Sequence, residues 1–343
     1  MAPTLKILSI NPNAQVHAHP DIISARNAAG QSGYVWVDLC EPDLQTMESL
    51  ASVFGLHPLS VEDALNEDQL PKLENFPSYS FMIFNIFETT PEEVLSKELD
   101  LFLGRDFLIS VSRESSQGRP LLAGISALIE SNSQRVEKGP TYLMHMIVDM
   151  IVDRKFNAVE TIEDRLDGYE DIILSDFRRF NLAHLMDSRR DLLTIRKSLF
   201  HEREVMGKII RQDSPFIEPQ SLIYFRDIYD HLSKYYEMSD SARDLVTSLM
   251  EIHLSMISNH MAASANRTNA IMRRLTLITT IFMPLSLISG IGGMSEFTMM
   301  TGGEENWKIA YLVLILAMLA IAALNLIAIK RMERDLPSNT DDL

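Results

Sequence analysis

Charge disappears from the sequence twice, both times near its end. The stretches LTLITTIFMPLSLISGIGG at 275–293 and IAYLVLILAMLAIAALNLIAI at 309–329 contain no Asp, Glu, Lys or Arg. Each is long enough to cross a hydrocarbon core of about 30 Å as a helix. The pattern therefore predicts two spans, a loop at 294–308 and a tail at 330–343. Upstream, the apolar positions fall into shorter units. LKILSI, YVWVDL, SYSFMIFNIF, LDLFLG and FLISVS read as strands. DLQTMESLASVFG, apolar at helical spacing, and the segment at 119–132 alternate with them, which predicts an α/β domain with a central sheet over 1–135. From Thr141 the pattern becomes that of long helices with few breakers, roughly 141–177, 179–213 and, after DSPFIEP, 219–292. The last, on the order of 100 Å long, runs without a stop signal into the first span. Residues 136–274 are thus expected to be long helices including a stalk, and the whole an α+β membrane protein.

The flanks orient the spans. Arg267, Arg273 and Arg274 precede the first with no acid after Glu251, and Lys330, Arg331 and Arg334 follow the second. The connecting loop carries Glu296, Glu304 and Glu305 against Lys308. Positive-inside bias places both termini in the cytoplasm. Neither span is a signal peptide, and MAPTLKILSI lacks the long apolar core of one, so the first 270 residues are expected to stay on the side of synthesis. A two-span hairpin cannot enclose a pore alone, so a transport role calls for an oligomer.

The 343 residues carry 31 basic and 47 acidic side chains, a formal net charge of −16. That argues against nucleic-acid binding, which needs basic patches, and favours cations. Cys40 is the single cysteine, so neither an intramolecular disulfide nor a Cys-rich zinc site can form. No GxGxxG or GxxxxGK(S/T) follows a strand, and HExxH and nucleophile motifs are missing, so no enzyme and no catalytic cofactor is expected.

Steps of three and four through the first span and the turns before it give Asn269, Met272, Thr276, Thr279, Met283, Ser286, Gly290 and Gly293. This is one helical face of small, polar or thioether side chains, opposite a face of Leu, Ile and Phe. It suits a helix lining an aqueous path, with hydroxyl rings touching a hydrated cation and Met rings gating by dewetting. Close packing between helices, with Ser and Thr bonded to their own i−4 carbonyls, explains the same stripe, and both readings stand. Thr280 and Ser289 lie beside it, and Pro284 predicts a local bend. The acidic VETIEDRLDGYED at 159–171 reads as a solvated face with i,i+4 Arg partners rather than a metal collector. Asp149, inside the apolar run MHMIVDMIV, needs a partner if it is buried. His17 and His19, in a His-x-His spacing beside Pro20, read as loop residues with a weak transition-metal signal, and His253 and His260 as stalk-surface residues.

FGLHPLSVEDALNEDQLPK, YLMHMIVDMIVD, FRDIYDH and NAIMRRLTLITTIFMPLSLISGIGGM together resemble the CorA family of two-span divalent-cation transporters over nearly the whole chain. The resemblance implies a funnel-shaped homopentamer in the cytoplasmic (inner) membrane, with a cytoplasmic α/β domain, a stalk helix continuing into the pore helix, and the second span outside the ring. It implies self, the lipid bilayer and divalent cations as partners. Hydrated Mg2+, with Co2+ or Ni2+ beside it, would pass down its gradient without ATP. The family's Gly-Met-Asn at the pore mouth is replaced here by Gly293, Met294 and Ser295, followed by Glu296. The Asn is missing, which keeps open a Zn2+ or broad divalent transporter coupled to protons, and also a metal sensor that does not conduct. Intracellular Mg2+ held between subunits closes the pore in this family. The matching motifs place that regulatory role on Glu62, Asp63, Asp149 and Asp227, hard oxygen ligands that suit Mg2+. Taken alone, Asp63 would read as a cap or surface residue and Asp227 as one half of a salt bridge.

Overall fold

The computed structural model describes residues 3–11, 15–29, 33–67, 69–90, 93–114, 118, 120–122, 124–125, 129, 138–294 and 306–334. Seven strands, β1 (Thr4–Ile10), β2 (Val16–Ala18), β3 (Tyr34–Cys40), β4 (Leu73–Asn75), β5 (Tyr79–Thr89), β6 (Val94–Gly104) and β7 (Phe107–Ser112), form one sheet in the order β2-β1-β3-β7-β6-β5-β4. Only β3 with β7 is parallel; the other pairs are antiparallel. β3, β5 and β7 are buried almost throughout because the sheet is covered on both faces.

One face carries α1 (Ile22–Ala29), α2 (Leu44–Phe54) and α3 (Pro58–Leu65), whose Met47, Leu50, Phe54 and Val61 meet Val35, Val37, Phe81 and Phe102 in one core. Local chemistry sets these helices. Asp43 caps α2 by accepting from Thr46 N at 2.8 Å, and Gly55 ends it with φ 69°, a conformation costly for other residues. α3 begins with Pro58 at its first turn, and its Ser60 is hydrogen-bonded to the Tyr79 hydroxyl of β5 at 2.6 Å. That bond fixes the helix that bears Glu62 and Asp63.

The other face carries α4 (Pro140–Asp176), and α5 (Leu182–Ile210) packs on α4 and along β5. β4 pairs with only the first part of β5, so the rest of that edge needs other partners. Asn85 N donates to Glu202 Oε1 at 2.8 Å, and Lys155 Nζ, paired with the same carboxylate at 3.0 Å, donates to Asn85 O. Near the β5–β6 turn, Val94 N donates to Asp191 Oδ2 at 3.2 Å, while Arg165 pairs with that oxygen at 3.4 Å and donates to Thr90 O. The Lys155–Glu202 pair between α4 and α5 thus stands in for a neighbouring strand at Asn85, and the Arg165–Asp191 pair ties down the β5–β6 turn.

A short 3-10 turn, Pro219–Ser221, leads into α6 (Leu222–Gly292), 71 residues in one helix, and the last helix is α7 (Trp307–Arg334). Pro284 lies inside α6 without ending it. The chain divides into two compact units, 1–254 and 255–343. Both α6 and α7 contain a stretch long and apolar enough to cross a membrane, and these stretches are almost wholly exposed.

The three long helices start and stop within three residues of the expected bounds. Two readings are corrected. His17 lies not in a loop but in β2, a short edge strand paired with β1. Arg165, the arginine of the acidic stretch, pairs across to Asp191 on α5 instead of along its own helix. LDLFLG is the end of a longer strand that begins at Val94, and most of 119–132 lies outside the described residues.

Candidate functional site

Within 255–343 the two helices meet along a defined face. On α6 the partly covered residues are Leu277, Ile281, Pro284, Leu285 and Ile288, ending in the buried Gly292; on α7 they include Tyr311, Leu314, Met318, Ile321 and Asn325. Every described member of the predicted stripe from Asn269 to Gly293 is exposed, Met272 at 59% and Met283 at 76%. At about 100° per residue, the stripe lies roughly opposite the face that α7 covers. The stripe is therefore not the packing surface between the two helices of this chain.

Two hydroxyls on it are internally bonded. Thr276 Oγ1 donates to Met272 O at 2.9 Å, and Thr279 Oγ1 lies 3.0 Å from Leu275 O and 2.9 Å from Thr276 O. Each hydroxyl proton is thereby committed to its own helix, and the oxygen presents lone pairs outward. At the end of α6, Gly293 N donates to Ser289 O at 3.0 Å and Met294 N to Ile291 O at 3.2 Å. Met294 is exposed. Ser295, Glu296, Glu304 and Glu305 lie outside the described residues.

The four predicted regulatory carboxylates fall into two groups. Glu62 and Asp63 sit on α3, where Glu62 is exposed and Asp63 is paired with Lys72 at 2.8 Å. Lys72 is shared with Glu74 at 2.9 Å. Asp149 and Asp227 lie instead where α4 and α6 pack, a seam built from Tyr142 against Tyr224 and His145 against Phe225, with ring centroids 5.3 and 5.9 Å apart. Asp149 is half-buried. Burial pushes its carboxyl above the usual range, Asp227 adds to that shift, and His231 opposes it. Burial also raises Asp153, with Asp149 reinforcing it, and lowers His145 to about 4 against the pull of Asp227. His231 and Asp227 of α6 are thus the ionisable neighbours that act on Asp149, in opposite directions. Asp153 and His231 went unread in the sequence, although each stands four residues after a predicted carboxylate and so on the same helix face. Among the described residues no group of three or more His, Cys, Asp or Glu converges as a metal cage within the chain.

Two further residues differ from expectation or were missed, His253 and Asp100. His253 is no surface residue: it is 5% exposed and packs edge-on against Phe180 at 5.4 Å. His19, outside the strands as expected, has its Nε2 2.7 Å from Ser9 Oγ. Asp100, on β6, is 3% exposed and lines a small cavity with Glu67, Glu98 and Arg113. Burial, then Glu98, hold its carboxyl well above the usual range against Arg113, and its Oδ1 has no hydrogen-bond partner among the described residues.

Residues 31–331 match the model of the CorA-like Mg2+ transporter protein family. The chain is 32% identical over 288 residues to YfjQ of Bacillus subtilis, covering 84% of this chain and 86% of that protein. It is 31% identical over 288 residues to the cobalt/magnesium transport protein CorA of Thermotoga maritima, covering 83% and 78%. The structure of the CorA magnesium transporter from Methanocaldococcus jannaschii superposes with a TM-score of 0.71 at 21% identity, over 96% of this chain and 99% of that one.

Proposed function

The chain belongs to the CorA-like Mg2+ transporter family, a family of transporters and not of enzymes, and from that premise we propose how it moves ions. It conducts hydrated divalent cations, Mg2+ first and Co2+ or Ni2+ beside it, through a pore on the axis of a homopentamer in the cytoplasmic membrane, with both termini inside. The observation that carries this reading is the exposed stripe opposite α7. With α7 on the outside of each subunit, five copies of the stripe face one another, and Asn269, Met272, Thr276, Thr279, Met283, Ser286 and Gly290 line the path.

The chemistry suits the ion. Mg2+ gives up its water reluctantly, and its bound waters point their hydrogens outward, so the wall needs acceptors. Thr276 and Thr279 offer them because their own protons are bonded to the backbone. Met272 and Met283 supply apolar constrictions that close by dewetting. At the mouth, Gly293, Met294, Ser295 and Glu296 form the selecting ring, with five Glu296 carboxylates concentrating divalent cations.

Regulation is placed between subunits. Glu62 and Asp63 of one chain approach Asp149 and Asp227 of the next, and internal Mg2+ bridging them holds the pore shut. Lys72 occupies Asp63 in the single chain, so the ion has to share or displace it. The Ser at position 295 carries a second reading, Zn2+ transport coupled to protons. Flux into proteoliposomes of Mg2+, Co2+ and Zn2+, with and without a pH gradient, decides between them. Voltage-driven Mg2+ entry, kept or increased by Ser295→Asn, is expected. Zn2+ flux without Mg2+ flux supports the second reading, and no flux from either form leaves a sensor.

A further inference from the structure

Helix α6 stops just before the mouth, and something has to fix where it stops. The last four carbonyls of a helix lack partners within it, and in a bilayer water is a poor substitute. Of these, Ser289 O and Ile291 O are met by the backbone of Gly293 and Met294. Gly292 O is met by another helix: the Tyr311 hydroxyl of α7 donates to it at 2.8 Å. Gly292 is also the one buried residue among the described residues of 255–343. A methyl group added there would overlap the side chain of Leu314, so Leu314 would have to shift. Tyr311 and Leu314 are three residues apart and share a face of α7. One polar and one apolar contact from adjacent positions therefore hold the final residue of α6, and Gly293 and Met294 follow immediately.

We propose that Tyr311 is a positioning residue for ion selection, setting through the Gly292 carbonyl the place from which Gly293 and Met294 enter the mouth. This rests on reading those two residues as the mouth. Tyr311 lies on the face of α7 turned toward α6, so it acts on the ion through the end of α6 and not by touching it.

The test compares the full-length protein with Tyr311→Phe, which keeps the ring and removes the donor. Amide hydrogen exchange over 289–294 is expected to quicken roughly ten-fold, the effect of leaving one shielded carbonyl unpaired. In proteoliposomes the ratio of Mg2+ to Ca2+ flux is expected to fall several-fold, with the melting temperature and oligomer size nearly unchanged. Wild-type exchange and a wild-type ratio in Tyr311→Phe would overturn the proposal. If wild-type protein moves no ion, the transport reading fails, while the exchange measurement still decides the role of Tyr311. A second route avoids the hydroxyl altogether: Gly292→Ala should lower the flux ratio and Leu314→Ala added to it should restore the ratio. No loss in the single variant, or no recovery in the double, would count against a position fixed by α7.

Discussion

In residues 1–254 the deepest charges are paired: Lys155 and Glu202 are both fully buried and joined at 3.0 Å. In residues 255–343 the arrangement is inverted, with Leu275, Phe282, Leu287, Leu312 and Leu316 each more than half exposed and the small polar side chains gathered on one side of α6. The same physical rule produces both. Apolar surface leaves water wherever it can: in the first unit it is covered by a core, and in the second it forms two exposed stretches long and apolar enough to cross a membrane. What differs is the place of the polar groups: in the first they satisfy one another around a sheet edge, and in the second they lie exposed on the side of α6 away from α7.

The largest expected effect comes from breaking the first arrangement. Lys155→Ala leaves Glu202 buried without its counter-charge and should cost about 3–5 kcal/mol in denaturant unfolding. Lys155→Met with Glu202→Leu should cost much less. Equal losses would mean that the pair is not what holds α4 and α5 to β5.

A smaller effect concerns carboxylates of the first unit that are proposed to regulate flux. Asp63→Ala and Asp227→Ala should leave the fold intact and make flux several-fold less sensitive to millimolar-range internal Mg2+. Unchanged inhibition in both would remove the regulatory assignment.

The smallest effect concerns Asp100. Its carboxyl is raised in the folded state, so folding favours the neutral form, and the stability linked to it is lost as pH climbs above the unfolded value of about 3.9. Asp100→Asn should therefore melt with wild type in acid and progressively above it toward neutral pH. A gap that narrows with rising pH would contradict the assignment.

The long elements were legible because their signals are long. Helices α4, α5 and α6 have tens of residues without a breaker, and both apolar stretches lack charge altogether. β2 and β4 have three residues each, too few to show a period, and β2 is held by pairing with β1 rather than by its own composition. The motifs located Glu62, Asp63, Asp149 and Asp227, but not which of them meet. That His231 acts on Asp149 is a consequence of α4 packing on α6, and the link from Lys72 to Asp63 depends on where the chain turns after α3. Asp100 gave no signal at all, since an acid within a strand reads as a solvent-facing position until the covering helix is known. The stripe was visible as a face. Its direction came only from the position of α7.

That direction is the centre of the account, and single cysteines test it most directly. The native Cys40 is buried, so reaction with a charged, water-borne thiol reagent would report the introduced site. Cysteine at Thr279, Ser286 or Gly290 is predicted to react and to block divalent flux in proteoliposomes, while cysteine at Ile281 or Ile288 stays unmodified and conducting. Block from Ile281 and Ile288 with the stripe positions silent would show that the ion path lies on the other side of α6.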